Sequence, residues 1–148
     1  MTAAPRYMLD TSVPLVAQGG PHASRDVCRA VLEMAANRRV ELHASVEMIQ
    51  EFVFHRLRMT GDPELAVAQG EALRQFVTLA PFDESVLNAA QGLVRRGHAR
   101  GRDAVHAATA RDRGIDAIVT TDPDFGRVPG LRATAPETLV STLSDGPA

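Results

Sequence analysis

The chain has 148 residues, of which 45% are hydrophobic, so it is long enough for one domain with a hydrophobic core but too short for two ordinary domains. Its net charge of −2 excludes a protein that is basic over its whole surface, although a local basic patch remains open. All sixteen basic residues are Arg, and the single cysteine, Cys28, excludes an internal disulfide and a cysteine-based zinc site.

The N-terminal residues MTAAPRYMLD lack the long apolar core of a signal peptide. No apolar stretch approaches the roughly 20 residues that a membrane-spanning helix needs. We therefore expect a cytoplasmic protein without a membrane span. It is expected to form a single domain over residues 1–148, with flexible tails at 1–5 and 144–148.

The first half of the chain alternates short strands with helices. A strand over residues 6–10 ends at Asp10, and a helical turn near Pro14 precedes a Gly-Gly-Pro break. The patterns that follow predict a helix over 24–38 capped by Ser24, a strand over 40–45, a helix over 46–59 and a helix that opens at residues 61–63.

The second half continues the alternation. Residues 76–82 predict a strand, and either Asp83 or Ser85 caps the helix that follows. The remaining segments predict an Arg- and Gly-rich loop over 95–103, an Ala-rich helix up to Gly114, a strand over 115–121, a loop over 123–131, an edge strand at 131–134 and a last helix from Pro136. Short strands alternating with helices predict an α/β fold with a parallel sheet flanked by helices.

Four acidic residues lie near strand ends or helix starts. Asp10 ends the first strand, Glu51 lies in the helix after the second, Asp103 opens the Ala-rich helix, and Asp122 follows the late strand. The carboxyl ends of parallel strands meet at one edge of the sheet, so these acids are expected to share a crevice. Carboxylates this close repel one another, and a hard divalent cation relieves that repulsion.

Each of these acids also has an ordinary structural interpretation. Asp10 and Asp103 could cap helices, and Glu51 could be a solvated helix residue. Asp122 and Asp124 both fit the Asp-Pro turn signature. Taken singly, no acid outweighs its ordinary interpretation, and only their joint placement favours a functional site.

Four segments together resemble a known family. YMLDTSV, HASVEMIQEFVF, GRDAVHAATA and IVTTDPDF are similar, in this order, to the signature segments of the PIN domain family, and within it of VapC-type toxins. The resemblance implies a three-layer sandwich around a short, mostly parallel sheet. It also implies functional roles for three groups of residues: the acids Asp10, Glu51, Asp103 and Asp122; Asp124, which often accompanies them; and Thr11, Ser12 and Thr121, which hold water or ligand carboxylates.

The resemblance implies endonucleolytic hydrolysis of RNA with Mg²⁺ or Mn²⁺, leaving a 5′-phosphate and a 3′-hydroxyl. Asp10 and Asp103 are then the expected direct metal ligands, and Glu51 and Asp122 act through water. The implied partners are RNA, a small antitoxin protein and a second copy of the chain. The alternative is a PIN-like module that binds RNA or protein without catalysis. Haloacid-dehalogenase-like phosphatases and response-regulator receivers are disfavoured because both need a Lys that this chain lacks.

Two further features have competing interpretations. The cluster Arg95, Arg96, Arg100 and Arg102 precedes Asp103 and could clamp an RNA backbone, or it could be a solvated loop beside a helix end. His106 could serve as a metal ligand or proton donor, but packing beside the core is the favoured interpretation. Phe54 and Met59 point off the apolar stripe of their helix and could form a partner surface.

Overall fold

The computed structural model describes residues 3–145, which form five strands, seven α-helices and one 3₁₀ helix. The strands are β1 (Arg6–Leu9), β2 (Glu41–Ser45), β3 (Val77–Ala80), β4 (Ala117–Val119) and β5 (Arg132–Thr134). The helices are α1 (Ser12–Gln18), α2 (Arg25–Ala36), α3 (Val46–Thr60), α4 (Pro63–Arg74), α5 (Glu84–Arg95), α6 (Gly101–Asp112), α7 (Pro136–Ser144) and the 3₁₀ helix Pro123–Arg127.

The strands form one parallel sheet in the order β3-β2-β1-β4-β5. The central strand β1 pairs with β2 through Met8 and His43 and with β4 through Leu9 and Val119. The chain builds the sheet outward in one direction from β1 to β3 and then in the other direction through β4 and β5. The topological switch point therefore lies between the carboxyl ends of β1 and β4, where α/β folds place their ligands.

The sheet separates two hydrophobic cores. Neighbouring residues of β1 point to opposite faces, as the period of a strand requires, so Met8 belongs to one core and Leu9 to the other. The first core packs α5 and α6 against the sheet, and the second packs α1, α2, α3 and α7. This arrangement confirms the predicted three-layer α/β fold with its parallel central sheet.

Local capping sets several helix starts. Asp62 accepts from the backbone N–H of Leu65 at 3.1 Å to cap α4, and Asp83 accepts from Val86 N–H at 3.0 Å to cap α5. Asp83 rather than Ser85 is therefore the cap of α5. Ser24 is the N-cap residue of α2, as predicted, but its side chain makes no capping hydrogen bond.

The Ser24 hydroxyl donates instead to Glu137 Oε1 at 3.0 Å, which links the start of α2 to α7. Cys28 is fully buried, and burial, aided by the charge of Glu137, raises the pKa of its thiol to about 11. It is therefore a small core residue.

None of the helices described between residues 3 and 145 is long and apolar enough to cross a membrane. The predicted flexible tails lie partly outside the described residues. Of the N-terminal tail, Pro5 accepts a hydrogen bond from the backbone N–H of Glu41 at 2.9 Å, and of the C-terminal tail, Ser144 is the last residue of α7.

Candidate active site

Asp10 lies directly after β1 at the switch point of the sheet and is 6% exposed. Its Oδ2 accepts hydrogen bonds from Ser12 Oγ and from Thr120 Oγ1, each at 2.7 Å. Thr11 occupies the N-cap position of α1, so the interpretation of Asp10 as a helix cap is wrong. Two hydroxyl groups therefore fix one oxygen of a buried carboxylate at the edge of the sheet.

Thr120 is a site residue that the sequence analysis missed. It is 3% exposed, and its hydroxyl both donates to Asp10 and accepts from the backbone N–H of Asp122 at 2.9 Å. Thr121, which the resemblance indicated, is exposed and donates its backbone N–H to Ser12 Oγ at 3.1 Å. The Thr120 hydroxyl thus links the acids that follow β1 and β4.

Glu51 projects from α3 toward the same edge and is held by Thr11, at the N-cap of α1, and by two side chains of α6. Its Oε1 accepts from the hydroxyl of Thr11 and lies 3.4 Å from His106 Nε2, while Arg102 Nη1 reaches Oε2 at 3.5 Å. Burial alone would raise the pKa of Glu51, but the hydrogen bonds and the charges of His106 and Arg102 outweigh it and lower that pKa below its ordinary value. Glu51 is therefore ionised at neutral pH.

His106 is fully buried on α6, with Nε2 also 3.4 Å from Thr11 Oγ1. The favoured interpretation of this histidine as a packing residue is correct for its burial but omits its contact with Glu51. Arg102 makes a second ion pair with Glu47, at 3.2 Å from Nε to Oε1. Glu51 thus contacts Arg102 and His106 of α6, the helix that also carries Asp103.

Asp103 lies in the first turn of α6, whose N-cap position is Arg100. Burial and the negative charge of Asp10 raise the pKa of Asp103 to about 6; the charge of His106 opposes this shift, and Asp122 and Glu51 add to it. Asp103 is half-buried, and the negative charges of the other three acids act on it. The structure brings together the four carboxylates whose convergence the sequence predicted.

Asp122 and Asp124 occupy the turn after β4. Asp122 Oδ1 accepts from the backbone N–H of Asp124 at 2.9 Å and caps the 3₁₀ helix, so the turn interpretation is correct for this residue. Asp124 is exposed and lies 3.8 Å from Arg127 Nη2. Asp122 therefore has a capping role in addition to its electrostatic contact with Asp103.

Comparison with known proteins gives a consistent result. The family model described as "PIN domain" matches residues 7–131, which is most of the chain. This chain belongs to the PIN domain family. Ribonuclease VapC7 of Mycobacterium tuberculosis is 31% identical over 148 residues, covering 93% of this chain and 98% of that protein.

Solved structures share the PIN fold with this chain. The crystal structure of VapBC2 from Rickettsia felis, bound to a DNA fragment from the promoter, aligns with a TM-score of 0.67 at 20% identity over 88% of this chain and 98% of that one. Mycobacterium tuberculosis VapC20, described as a sarcin-ricin loop cleaving toxin, aligns with a TM-score of 0.66 at 22% identity over 81% and 92% of the two chains. At these identities the likeness shows the fold alone.

The carboxylates of this PIN domain fit a hard divalent cation by chemistry and charge. All the donors are oxygens, and burial together with repulsion from the neighbouring acids raises the pKa of Asp103; a cation removes that repulsion. Within residues 3–145, no three His, Cys, Asp or Glu side chains already stand in the geometry of metal ligands. Mg²⁺ needs only one or two direct carboxylates, because it keeps several of its waters.

The predicted basic cluster is exposed, as a nucleic-acid contact requires. Arg95 ends α5, Arg96 follows it, and Arg100 precedes α6. Arg102 is also exposed, but its guanidinium is engaged by Glu47 and Glu51. Three of the four arginines therefore remain available to contact phosphates without first leaving these acids.

Proposed function

We propose that this PIN domain is an endoribonuclease of the VapC type that hydrolyses RNA phosphodiester bonds with Mg²⁺ or Mn²⁺. The observation that carries the proposal is the placement of four acids at one edge of the sheet. The Thr120 hydroxyl bonds both Asp10 and the backbone N–H of Asp122, Glu51 bonds Thr11 beside Asp10, and the charges of these three acids act on the half-buried Asp103. The similarity to ribonuclease VapC7 over nearly the full length of both chains supports the same activity class.

The cation would be held directly by Asp10 and Asp103, with Glu51, Asp122 and Asp124 acting through water. When bound, the cation would polarise the scissile phosphate, lower the pKa of a water and offset the charge of the transition state. The acids differ in how firmly the protein holds them. This difference determines the role that each side chain can fill.

Asp10 is oriented without any ligand, because Ser12 and Thr120 both donate to Oδ2. These two hydrogen bonds restrict the orientation of the whole carboxylate before a cation binds. Glu51 is kept ionised by Thr11, His106 and Arg102, so it can orient the attacking water through hydrogen bonds and accept its proton. The chain thus supplies one oriented ligand and one ionised base at the same edge of the sheet.

We propose that the exposed arginines Arg95, Arg96 and Arg100 contact the RNA backbone, with Arg102 as a fourth contact if it leaves its acidic partners. Arginine forks match phosphate oxygens, and such contacts fix the position of a nucleic acid without reading its sequence. Aromatic residues make up only 4% of the chain, so phosphate contacts rather than extensive stacking would supply most of the affinity.

We also propose that the chain pairs with a small antitoxin protein and forms a homodimer. The solved structures with this fold include one described as a toxin–antitoxin complex, from Klebsiella pneumoniae. Phe54 and Met59 on α3 are 44% and 74% exposed, as the sequence analysis expected of a partner surface. An antitoxin Arg inserted among the four acids would replace the cation there.

Sequencing of cleaved RNA ends tests the activity. The wild-type protein with Mn²⁺ is expected to generate new 5′-phosphate ends in cellular RNA, and Asp10→Asn is expected to abolish them. Asp26→Asn removes an exposed acid of α2 and serves as the control that retains cleavage. Unchanged cleavage by Asp10→Asn would contradict the assignment of Asp10, and RNA binding without cleavage by the wild type would favour the alternative of an inactive module.

A further inference from the structure

A cavity of about 390 Å³ lies beside the carboxylate cleft. It is bounded by the end of α5, by the loop before α6 and by the 3₁₀ helix, and Asp103 forms part of its wall. Its volume falls within the range of sites that bind small ligands. Because Asp103 borders both the cavity and the cleft, a group bound in the cavity would lie next to whatever is bound among the acids.

One wall of the cavity is apolar. Val94 is 49% exposed although it lies in the last turn of α5, and Val128 and Phe125 close the cavity from behind, each with 2% exposure. An exposed branched side chain beside a buried apolar floor offers a flat ligand a contact that removes apolar surface from water. Phe125 is too deeply buried to serve as the stacking surface itself.

The rim of the cavity carries two arginines, and Asp124 also lies on it. Arg100 and Arg127 line it together with the half-buried His98. Within the described part of the chain Arg100 makes no salt bridge, and the pair of Arg127 with Asp124 spans 3.8 Å between side chains that are 68% and 62% exposed. An exposed pair of this length is weak, so both guanidinium groups can bind an anionic ligand.

We infer that this cavity binds one nucleotide of the RNA substrate, adjacent to the bond that is cleaved. The base would contact Val94 and stack on the His98 ring or an Arg plane, and Arg100 and Arg127 would bind the flanking phosphates. A site with an apolar wall and two arginines suits a nucleotide better than an apolar peptide. A bound apolar peptide would leave both arginines beside an uncharged partner. The inference rests on the proposed ribonuclease function and adds a substrate position to it.

Binding of a short, fluorescently labelled single-stranded RNA to the Asp10→Asn protein tests the inference without cleavage. Val94→Asp and Arg100→Gln, each in that background, are expected to weaken binding about tenfold, since the first loses an apolar contact with the base and the second loses a phosphate contact. The matched controls are Val67→Asp, which changes a valine of α4 with the same 49% exposure, and Arg74→Gln, which removes an exposed arginine at the end of α4. Both controls should bind within twofold of the parent.

A thermal melt of each variant checks that the fold is kept. Val94→Asp and Arg100→Gln proteins that are folded and bind RNA like the controls would overturn the inference, and so would an Asp10→Asn parent that binds no RNA. The proposed function is tested separately by wild-type cleavage. If the wild type cleaves RNA and Val94→Asp cleaves it with an unchanged KM, the cavity does not bind a substrate nucleotide, but the ribonuclease assignment stands. If the wild type cleaves no RNA, the ribonuclease assignment itself fails.

Discussion

The two sides of the cleft hold their carboxylates in different ways. On the sheet side, Asp10 is almost fully buried, and two hydroxyl groups donate to its Oδ2. On the helix side, Asp103 is half-buried at the start of α6, where burial and neighbouring acids raise its pKa to about 6. One side is therefore stabilised by the protein itself, and the other side carries a charge that the protein only partly compensates.

This difference indicates how the two sides would share the binding of a cation. The sheet side is oriented before any ion arrives, because the hydrogen bonds to Asp10 come from the protein. The helix side gains most when an ion arrives, because the repulsion around Asp103 is then relieved. Orientation thus comes from strand ends, whereas the electrostatic driving force comes from the first turn of a helix.

The largest expected effect is that of Asp103→Asn on the helix side, which should lower activity while raising stability. Asp103→Asn should reduce RNA cleavage at least about a hundredfold, because a bound metal contributes several kcal/mol to the transition state and each 1.36 kcal/mol is a factor of ten. The same change should raise the melting temperature of the metal-free protein, since a repelled charge is removed. Cleavage assays check the loss of activity, and thermal melts check the gain in stability. An Asp103→Asn protein that is both active and less stable would contradict the proposed difference between the two sides of the cleft.

On the sheet side, Thr120→Val should destabilise the protein by about 1–3 kcal/mol, because it removes a buried donor to Asp10 and the acceptor of Asp122 N–H. It should also weaken Mn²⁺ binding by about tenfold or more, as changes to groups that orient metal ligands do. Thr121→Val is the control, because Thr121 is exposed and uses its backbone rather than its side chain. Equal effects of the two substitutions in denaturant melts would remove the distinction between these neighbours.

The pH dependence of the free energy of unfolding should reflect the titration of Asp103 on the helix side of the cleft. The folded-state pKa of Asp103, about 6, lies above its ordinary value of 3.8. The stability that this raised pKa gives the folded protein is therefore fully present below about pH 4. It declines as the pH rises and is lost above about pH 6. We expect this loss to be on the order of 1–2 kcal/mol after allowance for solvent screening.

The measurement is the difference in free energy of unfolding between wild type and Asp103→Asn from pH 4 to pH 8 without divalent ions. The difference removes the contributions of the other carboxylates, including Glu51, whose lowered pKa acts in the opposite direction. A difference that stays constant across this range would show that Asp103 is not perturbed.

The smallest expected effect concerns Arg102, which is 47% exposed and pairs with Glu47 and Glu51. Arg102→Gln should change stability by less than about 1 kcal/mol, because exposed ion pairs are screened by solvent. It should leave Asp10 unaffected, since the hydrogen bonds to that residue come from the other side. A loss of several kcal/mol in urea melts would show that the helix side depends on this arginine more than its exposure suggests.

The sequence could predict the strand-end acids because a general rule of parallel sheets applies to them. Asp10 and Asp122 follow apolar runs that read as strands, and parallel strands bring their carboxyl ends together whatever the details of packing. Glu51 and Asp103 were located by the same alternation of strands and helices, together with the resemblance to the PIN family. The fold class and the convergence of the four acids therefore followed from local patterns.

The details that the sequence did not predict depend on contacts between distant segments. Thr120 and Thr121 are identical in type, and only the direction of the chain after β4 decides which hydroxyl meets Asp10, 110 residues away. The Ser24 hydroxyl bonds Glu137 across 113 residues rather than a backbone N–H of its own helix. His106 lies on an Ala-rich helix with no local sign that it faces Glu51. Such choices are fixed by tertiary packing, which a local pattern does not encode.

The central claim is that the four acids form one cation site, and a Mn²⁺ titration of thermal stability tests it most directly. Millimolar Mn²⁺ should raise the melting temperature of the wild-type protein, because an ion that binds only the folded state stabilises it by mass action. The increase should be absent or much smaller in Asp103→Asn and unchanged in Asp26→Asn. An equal increase in all three proteins, or none in the wild type, would contradict the account.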